Sequence, residues 1–200
     1  MCYSVEASKL AFFTNIISCI ILHSSNKPIL KTIALFFGYI GIVQLYDWIL
    51  WENQNNQINK IITKIEMIHI NLEPIILAYL IFILKGKLNN ISLNITIIYS
   101  IFVFVFSLQI FNDSKYDYTP IENNRLIWKW NNTTNSKLVY ILFVLSFILL
   151  SYNNFEYPYN ILFVTLTCSS LLFGLYYKNE EAGRYWCKIS AYIPLLFILL

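Results

Sequence analysis

The sequence predicts an all-α fold: a bundle of seven transmembrane helices forming a single domain over residues 1–200, with its termini on opposite faces of a membrane. Three observations predict it. Long apolar stretches separated by short polar loops fill almost the whole of the 200-residue chain. Hydrophobic residues make up 58% of it and charged residues 12%, which is about half the charge of a soluble domain. Segments such as 138–150 are apolar on all sides. Backbone amides in hydrocarbon must be satisfied internally, so only helices or closed barrels span a bilayer. A barrel strand alternates polar and apolar residues over about ten positions, and these segments do not.

The expected spans are 5–23, 29–51, 58–84, 91–111, 138–152, 159–177 and 185–200, most of them near the roughly 20 residues that cross a bilayer. The first has no basic region ahead of it and no small-residue cleavage site behind it, so it reads as a retained signal-anchor helix. The second carries Ala34, Gly38 and Gly41 at three- and four-residue spacing, a smooth strip that another helix can approach closely. Gln44, Asp47 and Trp51 follow beside that strip, also at helical spacing. The third span carries Glu66-x-x-His69-x-x-x-Glu73, which sets two carboxylates and an imidazole on one helix face. Pro74 comes next; it removes the amide that would have bonded the Ile70 carbonyl, bending the helix and freeing an acceptor beside His69 and Glu73.

The fourth and fifth spans flank the one sizeable polar segment, 112–137, which is turn-rich around Thr119-Pro120 and continues through Arg125-Leu-Ile-Trp128-Lys-Trp130. Leu126, Trp128 and Trp130 alternate, but a single strand has no obvious partner. An aromatic belt at the headgroups is the preferred reading of them. In the last span Lys188 lies too close to the membrane surface for a retinal Schiff base, and snorkelling explains it better.

With an odd number of spans, the N-terminal face (side A) receives loops 52–57, 112–137 and 178–184. Lys9, Lys60, Lys64, Lys115, Arg125, Lys129, Lys137, Lys178, Arg184 and Lys188 fall to side A, against Lys27, Lys31, Lys85 and Lys87 on side B. The positive-inside rule therefore favours side A as cytoplasmic. A net charge of +3 is too small to argue for nucleic acid. Cys2, Cys19, Cys168 and Cys187 form no CxxC pair, which removes the zinc-knuckle and thioredoxin readings.

Polar side chains in hydrocarbon are expensive, and each is a functional candidate by default. With a rise of about 1.5 Å per residue, antiparallel packing of the second and third spans brings Gln44 and Asp47 near Glu66, with His69 and Glu73 deeper. Cys2 and Cys187 also fall towards side A. The expectation is a polar pocket between spans two, three and seven, opening to side A, that takes an ion or small ligand through Gln44, Asp47, Trp51, Glu66, His69, Glu73, Cys2 and Cys187. Glu-x-x-His is also the ligand spacing of carboxylate-bridged metal bundles. That makes Asp47, Glu66, His69 and Glu73 metal candidates, although only one copy of the motif is present and a hydrogen-bonded structural cluster is favoured. Removal of Met1 would leave Cys2 with adjacent thiol and amine, a nucleophile with an internal base, or a site for lipid, metal or a disulfide with Cys187. No oxyanion donor can be placed from sequence, and nothing names a cofactor. Cys19 and Cys168 read as packing residues.

Met1-Cys2-Tyr3-Ser4, Gln44-Leu-Tyr-Asp47-Trp-Ile-Leu-Trp51, Glu73-Pro74, Leu126-Ile-Trp128-Lys-Trp130 and Gly183-Arg-Tyr-Trp186-Cys187 occur in that order. Together they resemble an uncharacterised family of small polytopic membrane proteins of large DNA viruses and microbes. The resemblance implies a polytopic fold in a viral or host membrane, and it singles out Cys2, Asp47, Trp51, Trp186 and Cys187. The family more often has Glu at the position of Asp47 and commonly Gln at that of Glu73. It implies no activity. Three functions stay open from sequence, each compatible with an oligomer: a binding or structural membrane protein; a transporter or channel-like protein; and a lipid- or metal-dependent hydrolase.

Overall fold

A computed structural model describes residues 4–133, 135–177, 186 and 189–199, with the side chains of 132 and 170–177 excepted. The chain forms α1 (Val5–His23), α2 (Pro28–Glu52), α3 (Gln57–Lys85), α4 (Asn90–Phe111), α5 (Ser136–Asn154), α6 (Tyr159–Tyr177) and α7 (Ile193–Ile198). Local chemistry sets their ends. The Ser4 hydroxyl accepts from the Ala7 amide at 3.2 Å, the Asn56 side chain from the Asn59 amide at 3.0 Å and the Asn89 side chain from the Ile91 amide at 2.8 Å, each satisfying an orphan amide of a first turn. Pro28 begins α2, where its missing amide is not needed. Gly86, at φ 73°, closes α3 in the left-handed conformation that glycine takes without strain.

The helices α1 to α5 are long and apolar enough to cross a membrane. The protein is all-α and an integral, multi-pass membrane protein. Its outward faces agree: Leu10, Ile17, Ile20, Ile101, Phe104 and Ile141 are exposed, an apolar surface that water would not tolerate but acyl chains cover.

Consecutive long helices run antiparallel, and polar contacts mark the two ends of the bundle. At one end Lys9 pairs with Glu52 at 3.4 Å and Lys64 with Asp117 at 2.9 Å. At the other, Lys27 donates to the Tyr159 hydroxyl at 2.9 Å and Lys85 to the Asn154 carbonyl. Midway, Phe36, Phe147, Phe163 and Trp186 pack as an aromatic core, with Phe36–Phe147 centroids 5.5 Å apart and Phe147–Trp186 centroids 5.6 Å apart. Pro74 does not interrupt α3. The carbonyls on either side of Ile70 accept from tyrosines instead, His69 from Tyr39 at 3.0 Å and Asn71 from Tyr99 at 2.8 Å, so the turn disturbed by proline is held by neighbouring helices.

The glycine strip on α2 is where α1 approaches. A β-carbon on Gly41 would stand 2.0 Å from Asn15 Oδ1, whereas one on Gly38 would be 3.9 Å from Cys19. Asn15 is buried there, and its Nδ2 donates to the Ala191 carbonyl at 3.2 Å. That carbonyl sits at a break in the expected last span. Residues 189–190 are helical, Ala191 and Tyr192 turn, and α7 starts afresh at Ile193. The continuous helix expected over 185–200 is thus corrected to an interrupted one. Pro194 cannot donate to the carbonyl one turn earlier and its ring crowds it, which breaks the ladder at that point.

The segment between α4 and α5 is also corrected. It is neither a lone strand nor a headgroup belt. Strands β1 (Ile121–Glu122) and β2 (Arg125–Leu126) pair as a hairpin, turned by Asn123 and Asn124 at φ 51° and 56°. Two successive positive φ values make the tight turn whose twist suits a hairpin, and asparagine accepts them. Trp128 and Trp130 follow, only 4% and 3% exposed, stacked on each other with centroids 5.5 Å apart. They point into the bundle because an indole gains more from burial against α3 to α5 than from the interface.

Candidate functional site

One stripe of α3 carries the polar interior. Asn59, Thr63, Glu66, Ile70, Glu73, Leu77 and Ile81 follow at four- and three-residue intervals, and all are buried. Side chains at that spacing share a face. From the Lys9/Glu52 end, the stripe carries polar groups, interrupted by Ile70, as far as Glu73 and is apolar beyond it. Its polar length is about 20 Å at the helical rise.

The outermost part of the stripe is bound to the α4–α5 segment. Thr63 Oγ1 donates to Thr119 Oγ1 at 2.9 Å, Asn59 Nδ2 to the Thr119 carbonyl at 3.1 Å, and the Thr119 amide to Asn59 Oδ1 at 3.0 Å. The α2–α3 turn adds to this grip. Gln54 Oε1 accepts from the Tyr118 hydroxyl at 3.0 Å and from the Ile121 amide at 3.2 Å. The side A mouth expected to be open is covered by this segment.

Beneath it lie Asp47 on α2 and Glu66 on α3, fully enclosed, near enough for each carboxyl to feel the charge of the other. The Trp128 indole stands beside Glu66, yet its N–H lacks the geometry of a hydrogen bond to it. Among the described residues, neither Glu66 oxygen has a hydrogen-bond donor. The ion pairs among the described residues are Lys9–Glu52, Lys64–Asp117 and Lys115–Asp113, and none reaches Glu66. An enclosed carboxyl left in that condition is costly, and nearly all buried polar groups are paired. Gln44 is buried one turn from Asp47 on α2, and Trp51, one turn the other way, is half-buried.

Glu73 lies two turns deeper, about 10 Å from Glu66 along the axis. Its Oε2 accepts from the Trp186 indole at 2.8 Å while Oε1 has no partner among the described residues. Past Glu73 the interior is closed by Leu77 and Ile81 of α3 together with Ile33, Phe36, Phe37 and Phe163, all buried.

His69 does not join the acids. Its ring lies flat on Tyr39, centroids 3.8 Å apart at 10°. Nε2 donates to the Tyr39 carbonyl at 2.9 Å, which leaves Nδ1 to accept from the Tyr46 hydroxyl at 3.4 Å. One step of the helical wheel separates His69 from the Glu66/Glu73 stripe, and that step turns it to the Tyr39/Tyr46 flank of α2. Among the described residues no three His, Cys, Asp or Glu side chains converge to hold a metal ion. His23, exposed at the opposite end of α1, is far from the acids. Cys2, Cys187 and Lys188 lie outside the described residues.

The residues that reading the sequence missed are Asn15, Asn59, Thr63 and Thr119, together with the burial of Trp128. For Asn59 and Thr63 a signal existed, since they continue the Glu66 face outward. Compared with protein-family models, curated proteins and solved structures, the chain matches none.

Proposed function

We infer that Asp47 and Glu66 form a one-ended site inside the membrane that holds a proton or a small cation. The observation that carries this is the enclosed Glu66 carboxyl, both of its oxygens without a donor among the described residues and with a second carboxyl beside it. Two neighbouring carboxylates away from water do not both keep a bare charge; a shared proton or a bound cation between them removes the repulsion. Gln44, buried beside Asp47, supplies neutral polarity on the same face of α2.

A binding role fits better than a passage from one side to the other. Polar groups line the buried stripe of α3 only from the Lys9/Glu52 end to Glu73, and Leu77 and Ile81 follow, so an ion reaching the pair has no continuing polar path along that helix. A purely structural lock fits less well, because groups that only join helices satisfy their hydrogen bonds, as Asn15 does with Ala191.

The test is carbodiimide chemistry on the purified protein in lipid nanodiscs. Dicyclohexylcarbodiimide reacts with a protonated carboxyl: the proton moves to a carbodiimide nitrogen, the oxygen bonds the central carbon, and acyl migration gives a stable N-acylurea. Peptide mass analysis is expected to place the adduct on Glu66, with its formation slowed by sodium, lithium or potassium ions, or by higher pH. An unreactive Glu66, with no ion altering thermal stability, would overturn the reading.

A further inference from the structure

We propose that the segment 112–133 is a lid that controls the access of water and its solutes to the Asp47/Glu66 site, with Trp128 as the part that closes on Glu66. This rests on the reading of that pair as a ligand site and adds how the site is reached.

The segment touches the bundle in two chemically different ways. Its outer contact is a polar latch of Thr119 on Asn59 and Thr63, of Tyr118 and Ile121 on Gln54, and of Asp117 on Lys64. Water can replace each of those partners, so releasing the latch forfeits little net hydrogen bonding. Its inner contact is the stacked pair Trp128 and Trp130, whose indole nitrogens are both buried without an acceptor. Burying two unanswered donors favours release, which exposes them to water. The unanswered donors offset part of what burial of the two rings contributes, so the closed arrangement is held less firmly than one with every donor bonded, as a gate needs.

The segment is also built to move as a unit. The hairpin β1–β2 is tied back by the Ile127 amide donating to the Pro120 carbonyl at 2.8 Å, which couples Thr119 in the latch to Trp128 over Glu66. A void of about 30 Å³ borders both indoles, lined also by Ile70, Phe106, Val139 and Phe143. Packing next to a void is looser than in a filled core, so the indoles are held less tightly on that side.

The experiment joins Thr63→Cys to Thr119→Cys, positions whose hydroxyls are already in contact, and uses two carbodiimides. Water-soluble ethyl(dimethylaminopropyl)carbodiimide activates a carboxyl, and glycinamide then displaces the urea to leave an amide. Dicyclohexylcarbodiimide arrives through lipid. Oxidation of the double variant, verified by peptide mapping, is expected to slow glycinamide labelling of Glu66 at least tenfold, reversed by reductant. Labelling from lipid should stay unchanged. The near-isosteric Thr119→Val, which removes one latch bond without a cross-link, is expected to speed aqueous labelling roughly fivefold. Equal aqueous rates in the oxidised, reduced and Thr119→Val proteins, with Glu66 reactive throughout, would overturn the lid and leave the site standing. A Glu66 inert to both reagents in every form would remove the site, and the lid with it.

Discussion

The Trp186 indole donates to Glu73 Oε2 at 2.8 Å in the middle of the bundle, linking the last part of the chain to the deepest acid of α3. Both partners are buried, and the other Glu73 oxygen has no donor among the described residues, so within that set this bond carries the polar satisfaction of the carboxyl. Trp186→Phe keeps most of the aromatic contact with Phe37 and Phe147 but strips the carboxyl of its donor. The expected loss is about 1–3 kcal/mol, measured by thermal unfolding in detergent. Glu73→Gln keeps an acceptor for the indole, and its loss is expected to be less than half that of Trp186→Phe.

The approach of α1 to α2 gives a second expectation. Gly41→Ala would set a β-carbon 2.0 Å from Asn15 Oδ1, and Asn15 cannot withdraw without leaving the Ala191 carbonyl unbonded. Overpacking of this kind typically costs about 1–3 kcal/mol. Gly38→Ala meets only ordinary contact with Cys19, 3.9 Å away, and is expected to unfold within a degree or two of the parent. Equal melting temperatures for the two variants would remove Asn15 from the account of how α1 docks.

These two sites show what was and was not legible in the chain. Helices could be read because each apolar run reports its own burial; α1 spans the residues its pattern predicts. The shared face of Glu66 and Glu73 follows from helical geometry alone. Asn15 and Ala191 are far apart in sequence, and nothing local tells that one answers the other. The break at Ala191 and Tyr192 had a visible signal in Pro194, outweighed by the hydropathy of its neighbours. His69 was grouped with the acids because spacing gives a face to within one helical step, and one step decides whether it meets Tyr39 or Asp47. Trp128 and Trp130 read as a belt at the membrane interface because a single strand has no visible partner, while their burial depends on a turn whose asparagines are common in any polar loop.

That turn supplies a third expectation. Asn123 and Asn124 both hold positive φ, where a β-branched residue is strained and glycine is free. Asn124→Gly is expected to preserve or tighten the hairpin. Asn124→Val should loosen it by about 1–2 kcal/mol, raising the rate at which a protease added to the aqueous side cuts within 119–130. A similar cleavage rate for the two variants would mean that the turn is not what holds the segment together.

The stacked pair Tyr39 and His69 gives a fourth. Tyr39→Phe retains the ring stack and the Tyr39 carbonyl that accepts from Nε2, and deletes only the hydroxyl bonded to the His69 carbonyl. The expected loss is about 1 kcal/mol. His69→Phe deletes the Nε2 bond and leaves the Tyr39 carbonyl relying on its helix alone, for a loss of about 1–2 kcal/mol. Because His69 is turned away from the acids, neither change is expected to alter carbodiimide labelling of Glu66 by more than about twofold. A collapse of labelling in His69→Phe would place the imidazole in the site after all.

Glu66 itself separates a ligand site from a structural lock. If its carboxyl only joined helices, Glu66→Gln would weaken the fold by breaking a bond that matters. Instead the parent holds a carboxyl with no donor among the described residues beside a second acid, and an amide in that place can donate to Asp47 without bringing a charge. Glu66→Gln is therefore expected to be neutral or to stabilise by up to about 2 kcal/mol, while the stabilisation conferred by any cation disappears. Functional sites commonly hold such strain, because the group poised for a ligand is unsatisfied until the ligand comes. A large drop in thermal stability of Glu66→Gln, with no ion dependence in the parent, would return Asp47 and Glu66 to the framework of the bundle.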